Sequence, residues 1–216
     1  MESYFISDIE VNKDNQKVLK VNPLYKHSCT FDCVFCPFGK TEVKTENAFE
    51  HKKMNKFINE LEKKLKNLSV DILFIDPKGD ALLNNRLKEI VKLGKKYNLK
   101  LKILGNGYIF NKKEYKNILN KFDEVIGELA VTNELDFKSI LRPLEGYTLE
   151  KHIENMKKFN KQFDKKFSLD ITILKGYSDI DKDILKFKEY ISYIKADKVY
   201  VDIPSEYKEQ FGVSQK

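Results

Sequence analysis

The sequence predicts an α/β fold with a mainly parallel sheet. Three observations carry this. Six short apolar runs rich in Ile, Leu and Val are separated by stretches whose apolar residues recur at steps of three and four. The two patterns alternate strand, helix, strand, helix, which calls for parallel pairing through right-handed crossovers. The chain has 216 residues, enough for one sizeable core. An open doubly wound sheet and an incomplete barrel both satisfy this order. Both place function at the carboxyl ends of the strands.

The elements follow in order. "VLKVN" (18–22) opens the series as a strand, and after a long loop Met54, Phe57, Ile58, Leu61, Leu65 and Leu68 make the first helical stripe. "DILFID" (71–76) is the second strand, followed by Leu83, Leu87, Ile90 and Tyr97. "KLKILG" (100–105) is the third, followed by the short set Tyr115, Ile118 and Leu119. "EVIGELAV" (124–131) is the fourth, with Ile153, Met156, Phe159 and Phe163 behind it. "FSLDITIL" (167–174) precedes Ile180, Ile184, Phe187, Ile191 and Ile194, and "KVYVDIP" (198–204) closes the series. Near-continuous apolar runs read as buried strands of a parallel sheet. The stripes read as core-facing helix surfaces, not cofactor boxes. No linker, low-complexity tract or short-period repeat interrupts the pattern, so residues 1–204 are expected to form one unit and 205–216 a polar tail.

Composition narrows the class. At 41% hydrophobic and 34% charged residues the chain is not disordered throughout. No apolar run approaches the roughly 18 residues of a membrane span. The N-terminal "MESYFISDIEVNKDNQK" lacks the basic-then-apolar order of a signal peptide. A cytoplasmic, reducing location is therefore expected, with no membrane partner. The net charge is +7, but only Arg86 and Arg142 among 40 basic residues are arginines. The lysines fall on outer helix faces, as in "EKKLKN" and "KEIVKLGKK", and read as solvated surface before a nucleic-acid footprint. Nucleic acid stays open as a partner on charge alone.

All three cysteines lie in "CTFDCVFCPFGKTEVKT" (29–45), spaced C-x3-C-x2-C, in the loop after the first strand. In a reducing compartment such clustering points to metal or catalysis before disulfides. Three thiolates can share one inorganic core. A cubane iron–sulfur cluster usually takes four cysteines, so three leave one iron open to another ligand. Zinc is the rival, with His27 or His51 completing a Cys3His set. Structural zinc ligands, however, usually come as two separated pairs, and no second pair exists. Three thiols buried as small hydrophobes are the plain alternative. Pro37 and Gly39 suit a tight loop.

Cys29, Cys33 and Cys36, with Phe35 before the last thiol, resemble the C-x3-C-x-aromatic-C signature of the radical SAM superfamily. The longer stretch is similar to small single-cluster members of a tRNA wyosine synthase-like subgroup. The likeness continues through "LFIDPKGDALLN", "LGNGYIF", "FKSILRP", "ILKGYSD" and "KADKVYVDIP", about residues 18 to 205. The resemblance implies a partial (β/α)6 TIM-like barrel, parallel strands with outer helices. It implies a [4Fe–4S] cluster on the three cysteines, with S-adenosylmethionine chelating the fourth iron. One electron would cleave the sulfonium to methionine and a 5′-deoxyadenosyl radical that abstracts hydrogen from a substrate. An electron donor of flavodoxin or ferredoxin type is implied. The substrate, whether RNA base, peptide or metabolite, is not.

The resemblance also assigns residues. Gly79, Asp80 and Ala81 stand where the superfamily has a Gly-Gly-Glu-Pro-like stretch for the methionyl amine. Gly79 would permit close backbone approach, and Asp80 would accept from the ammonium. Phe35 would lie beside the adenine. Asn106, in "GNG", would touch cofactor or substrate, or simply take a left-handed turn. The fourth strand carries Glu128 and Ala130 where a Leu-Asp pair is usual, leaving Glu128 for the ribose hydroxyls. Asp202 ends the strand against which adenine packs. Arg142, in a lysine-dominated chain, suits a carboxylate clamp, and otherwise a structural ion pair. Asp170 can face either way, and Lys175 reads as a loop lysine. Two other functions are consistent with the same residues: a glycyl-radical enzyme activase, and a catalytically silent cluster- or zinc-binding protein. A six-stranded barrel is open at one side, where a large substrate or a partner chain would close it.

Overall fold

The structure is a computed structural model that describes residues 4–174 and 180–203. The expected tail at 205–216 and Lys175 lie outside these residues, as does the side chain of Ile180.

All six expected strands form. They are β2 (Lys17–Asn22), β5 (Ile72–Ile75), β6 (Lys100–Gly105), β7 (Glu124–Leu129), β8 (Lys166–Thr172) and β9 (Lys198–Asp202). They pair in that order, each parallel to the next. A doubly wound sheet must reverse its strand order. Here the order never reverses, so right-handed crossovers carry every helix to the same face. The sheet is thus a partial barrel with its helices outside. They are α1 (Met54–Asn67), α2 (Leu87–Lys96), α3 (Lys113–Leu119), α4 (Glu134–Ser139), α5 (Leu149–Asn160) and α6 (Ile180–Ile194).

Three further elements were not legible as strands. β1 (Phe5–Val11) pairs antiparallel with β2 and covers its edge. Asn12 makes this hairpin: its Oδ1 accepts from the backbone N–H groups of Asp14 (3.0 Å) and Gln16 (2.9 Å), while Asn15 takes φ 58°. β3 (Ser28–Cys29) and β4 (Val43–Lys44) form a separate two-stranded parallel pair around the cysteine loop.

The core lies between sheet and helices. Leu19, Val21, Leu73, Ile75, Leu101, Ile103, Val125, Phe167 and Leu169 meet Phe57, Leu61, Ile90, Phe122 and Phe159, all buried. Alternation along each strand turns the other set inward. On β7 and β8 that set is polar apart from Ile126: Glu124, Glu128, Ser168, Asp170 and Thr172. At the amino ends of these strands, Glu124 gathers Lys102 (2.9 Å), Lys166 (3.2 Å), Ser168 (2.6 Å) and Tyr200 (3.0 Å).

Some expectations are corrected. "KVYVDIP" is not a buried strand: β9 is an edge with no neighbour beyond it among the described residues, and Val201 and Ile203 are 64% and 66% exposed. Leu68 caps α1 and is exposed, and Ile184 faces outward from α6. Leu83 belongs to a one-turn 3-10 helix, Ala81–Leu83, not to α2. Among the described residues no helix is long and apolar enough to cross a membrane.

Candidate functional site

The cysteine loop leaves the carboxyl end of β2 and is fixed from three sides. Asn22, the last residue of β2, accepts from the N–H groups of Leu24 (3.2 Å) and Lys78 (2.9 Å), tying this edge to the loop after β5. Inside the loop, Asp32 accepts from the Thr41 N–H (2.8 Å) and the Thr41 hydroxyl donates to the Phe31 carbonyl (2.8 Å). Behind it lies the segment after α4. Asp32 N–H donates to the Leu141 carbonyl (3.0 Å), Val34 N–H to Ile140 (2.9 Å), and Leu144 N–H to Thr30 (3.0 Å). "FKSILRP" is therefore the backing of the cysteine loop.

None of the three thiols is in a disulfide; Cys29 is buried and Cys33 and Cys36 are half-buried. Two turns shape the end of the motif, from Cys36 N–H to the Cys33 carbonyl and from Gly39 N–H to the Cys36 carbonyl, each 3.1 Å. Burial pushes the Cys29 thiol up to about 12, aided by nearby Asp80. Burial takes Cys36 to about 11 and raises Cys33 as well, with Glu128 and the other two thiols adding to the shift at Cys33. Metal loading must therefore release thiol protons. His27 lies close to the loop, its Nε2 3.7 Å from the Cys36 sulfur and its Nδ1 3.2 Å from the Lys40 carbonyl. His51 does not: it stacks on Phe49 (4.3 Å between centroids), and its Nδ1 accepts from Tyr25 N–H (3.1 Å). Among the described residues, no three His, Cys, Asp or Glu side chains are grouped to hold a single metal ion.

The other sequence-selected residues divide. Gly79 does allow close approach, but to protein: it sits at φ 123°, and a Cβ there would lie 2.1 Å from the Ser28 carbonyl oxygen. The next residue, Asp80, donates its N–H to that same oxygen (2.8 Å), which docks the loop after β5 against the strand bearing Cys29. The Asp80 side chain is fully buried. Its Oδ1 accepts from Leu82 N–H (3.0 Å) and caps the 3-10 helix, while Oδ2 has no partner among the described residues. Burial raises this carboxyl to about 6. Asn106 is at the centre: its Nδ2 reaches the Cys29 sulfur (3.4 Å) and the Thr30 hydroxyl (2.7 Å).

Glu128 faces the barrel interior and accepts from the Thr172 hydroxyl (3.3 Å). Burial and then Asp170 raise it to about 7. Asp170 pairs with Glu128 in the strand register and so shares its inward face, and Asp202, at the exposed end of β9, adds to the upward shift of both carboxyls. Phe35 is half-buried against the core. Arg142 lies on the backing segment at φ 46°, its Nε 3.3 Å from the Ser139 carbonyl.

Residues 25–187 match the model of the Radical SAM superfamily. The chain belongs to this superfamily. Membership brings with it S-adenosylmethionine, an iron–sulfur cluster and, in general, an external electron donor. UPF0026 protein MJ1312 of Methanocaldococcus jannaschii is 24% identical over 191 residues, which cover 87% of this chain and 60% of that protein. A structure of TYW1 with a lysine-pyruvate adduct bound superposes with a TM-score of 0.63 at 16% identity, over 89% of this chain and 67% of that one. Native anSMEcpe with bound AdoMet superposes with a TM-score of 0.65 at 13% identity, over 88% and 54%. These structures share the partial barrel. This radical SAM chain spans only 60% of the length of that Methanocaldococcus protein.

The donor set fits the cluster that the superfamily implies. Three soft thiols in no disulfide suit iron–sulfur chemistry, and a carboxylate oxygen unpartnered among the described residues lies buried on the loop that docks beside Cys29. Sequence reasoning missed Thr30, Thr172 and His152. The signal for His152 was present: it lies within the buried stripe of α5, between Leu149 and Met156, where a polar side chain needs a partner.

Proposed function

We propose that this radical SAM enzyme holds a [4Fe–4S] cluster on Cys29, Cys33 and Cys36 and cleaves S-adenosylmethionine reductively. The observation that carries the reading is three thiols in no disulfide on one rigidly backed loop, at the carboxyl edge of the sheet, with the Asn106 amide on the Cys29 sulfur. Three cysteines leave one iron of a cubane cluster open to the methionyl amine and carboxylate. When bound, the cluster and S-adenosylmethionine supply one-electron cleavage of the sulfonium and a 5′-deoxyadenosyl radical that takes hydrogen from the substrate.

The protein's share is binding and orientation. Asp80 Oδ2 is the acceptor for the methionyl ammonium, a charge-assisted bond. Glu128, steadied by Thr172, meets the ribose hydroxyls. Phe35 and Asp202 flank the adenine, and Arg142 clamps an anionic group of cofactor or substrate. A flavodoxin- or ferredoxin-type donor supplies the electron. The substrate is an RNA base, a peptide or a metabolite entering from the open side of the barrel. The thiols are not grouped for a single ion, which weighs against a Cys3His zinc centre with His27.

Anaerobic reconstitution tests this. The protein should take up about four irons per chain, and Cys33→Ala should hold no cluster and release no 5′-deoxyadenosine. A native protein carrying one tightly held zinc ion and no iron contradicts the reading.

A further inference from the structure

The side chain of His152 is buried on the inner face of α5, among Phe31, Tyr108 and Phe137. Its Nε2 lies 2.6 Å from the Asn106 carbonyl oxygen, and its Nδ1 has no partner among the described residues. A carbonyl can only accept, so Nε2 carries the proton and donates. Burial keeps the ring neutral, with a pKa lowered to about 4.

Asn106 is equally determined. Its Oδ1 accepts from the Tyr108 N–H (3.0 Å), which fixes the amide orientation and turns Nδ2 toward Cys29 and Thr30. A second α5 residue grips the same loop: Asn155 Nδ2 donates to the Tyr108 carbonyl (2.8 Å). Gly107 between them sits at φ 90°, and a Cβ there would lie 2.6 Å from the Met156 sulfur. The loop after β6 is thus pinned onto α5 from both ends, and the Asn106 amide is the group by which it reaches a cysteine sulfur.

We infer that His152 is a positioning residue for the cluster. By holding the Asn106 carbonyl it aims the Asn106 amide at the Cys29 sulfur, and that bond sets the reduction potential. The inference rests on the functional reading above. A hydrogen bond to a ligand sulfur favours the reduced, more negative cluster, and bonds to cluster sulfurs are among the features that tune such potentials. Removing it should make the cluster harder to reduce.

The test is an EPR-monitored redox titration of reconstituted wild type, His152→Leu, His152→Gln and Asn106→Ala, with iron content measured on each. His152→Leu and Asn106→Ala should keep wild-type iron. Each should lower the ratio of reduced to oxidised cluster at a fixed potential about tenfold, a shift of about 59 mV for one electron. The double variant should fall no further, because both act through one bond. His152→Gln, whose amide can again donate to the carbonyl, should recover most of the ratio. A wild-type potential in His152→Leu, or additive losses in the double variant, overturns the inference. If His152→Leu does not fold, Asn106→Ala decides: an unchanged ratio overturns the inference, and the tenfold loss with iron retained supports it. A wild-type protein that binds no cluster would instead refute the functional reading itself.

Discussion

Replacing Glu124 by Gln removes one buried charge from the amino end of the barrel while keeping its shape. Burial alone would raise this carboxyl, but the Ser168 hydroxyl, Lys102 and Lys166 overcome it and hold the group at about 2, against 4.5 for a free glutamate. That difference corresponds to about 3 kcal/mol of stability at neutral pH. The sign follows from a folded-state value below the unfolded one. The contribution is complete above pH 4.5 and is lost as pH falls toward 2. By about pH 3.5, roughly 1.4 kcal/mol of it should be gone. Glu124→Gln lacks the contribution at every pH. Urea unfolding should therefore separate the two proteins by about 3 kcal/mol at neutral pH and by about 2 kcal/mol near pH 3.5. A gap that does not narrow in acid, or one of less than about 0.5 kcal/mol at neutral pH, would refute the argument that these lysines hold the carboxylate ionised.

Asp80→Asn keeps the acceptor that caps the 3-10 helix but removes the charge, so iron content should be unchanged. Affinity for S-adenosylmethionine, read by equilibrium dialysis, should fall by about 1.5–3 kcal/mol, and unchanged affinity would mean that backbone carbonyls hold the amine. Gly107→Ala places a Cβ against Met156 at a backbone angle that L residues rarely adopt. It should lower the urea midpoint by the equivalent of about 1–3 kcal/mol, and a loss under about 0.5 kcal/mol would show that the loop and α5 yield easily.

The strand series was legible because six buried runs alternate with helical stripes, and period alone distinguishes the two. What period cannot give is winding. The choice between a doubly wound sheet and a partial barrel turned on strand order, a long-range property that no local window contains. β9 misled for a related reason: Val199 and Val201 look like core residues, yet among the described residues the strand lies at an edge and Val201 is exposed. The cysteine motif marked the site at once, since three clustered thiols have few other uses. Asp80 and Asn106 were selected by motif position, and the structure brings both beside Cys29. The backing segment at 140–144 was hidden because it acts across more than 100 residues of chain, through backbone hydrogen bonds that no side-chain pattern announces; His152 was signalled by its place in the buried stripe of α5, but its partner Asn106, 46 residues away, was not. Gly79 was read for the right property and the wrong neighbour, for its close approach is to Ser28.

The central claim is that the three cysteines leave one iron for S-adenosylmethionine. The most direct measurement is the EPR spectrum of the dithionite-reduced protein before and after S-adenosylmethionine is added, with Cys33→Ala as control. The account predicts a [4Fe–4S] signal in the wild type whose g-values shift on addition, because a new ligand reaches the cluster, and no such signal in the control. A cluster signal that S-adenosylmethionine leaves unmoved, in a protein saturated with it, would contradict the claim.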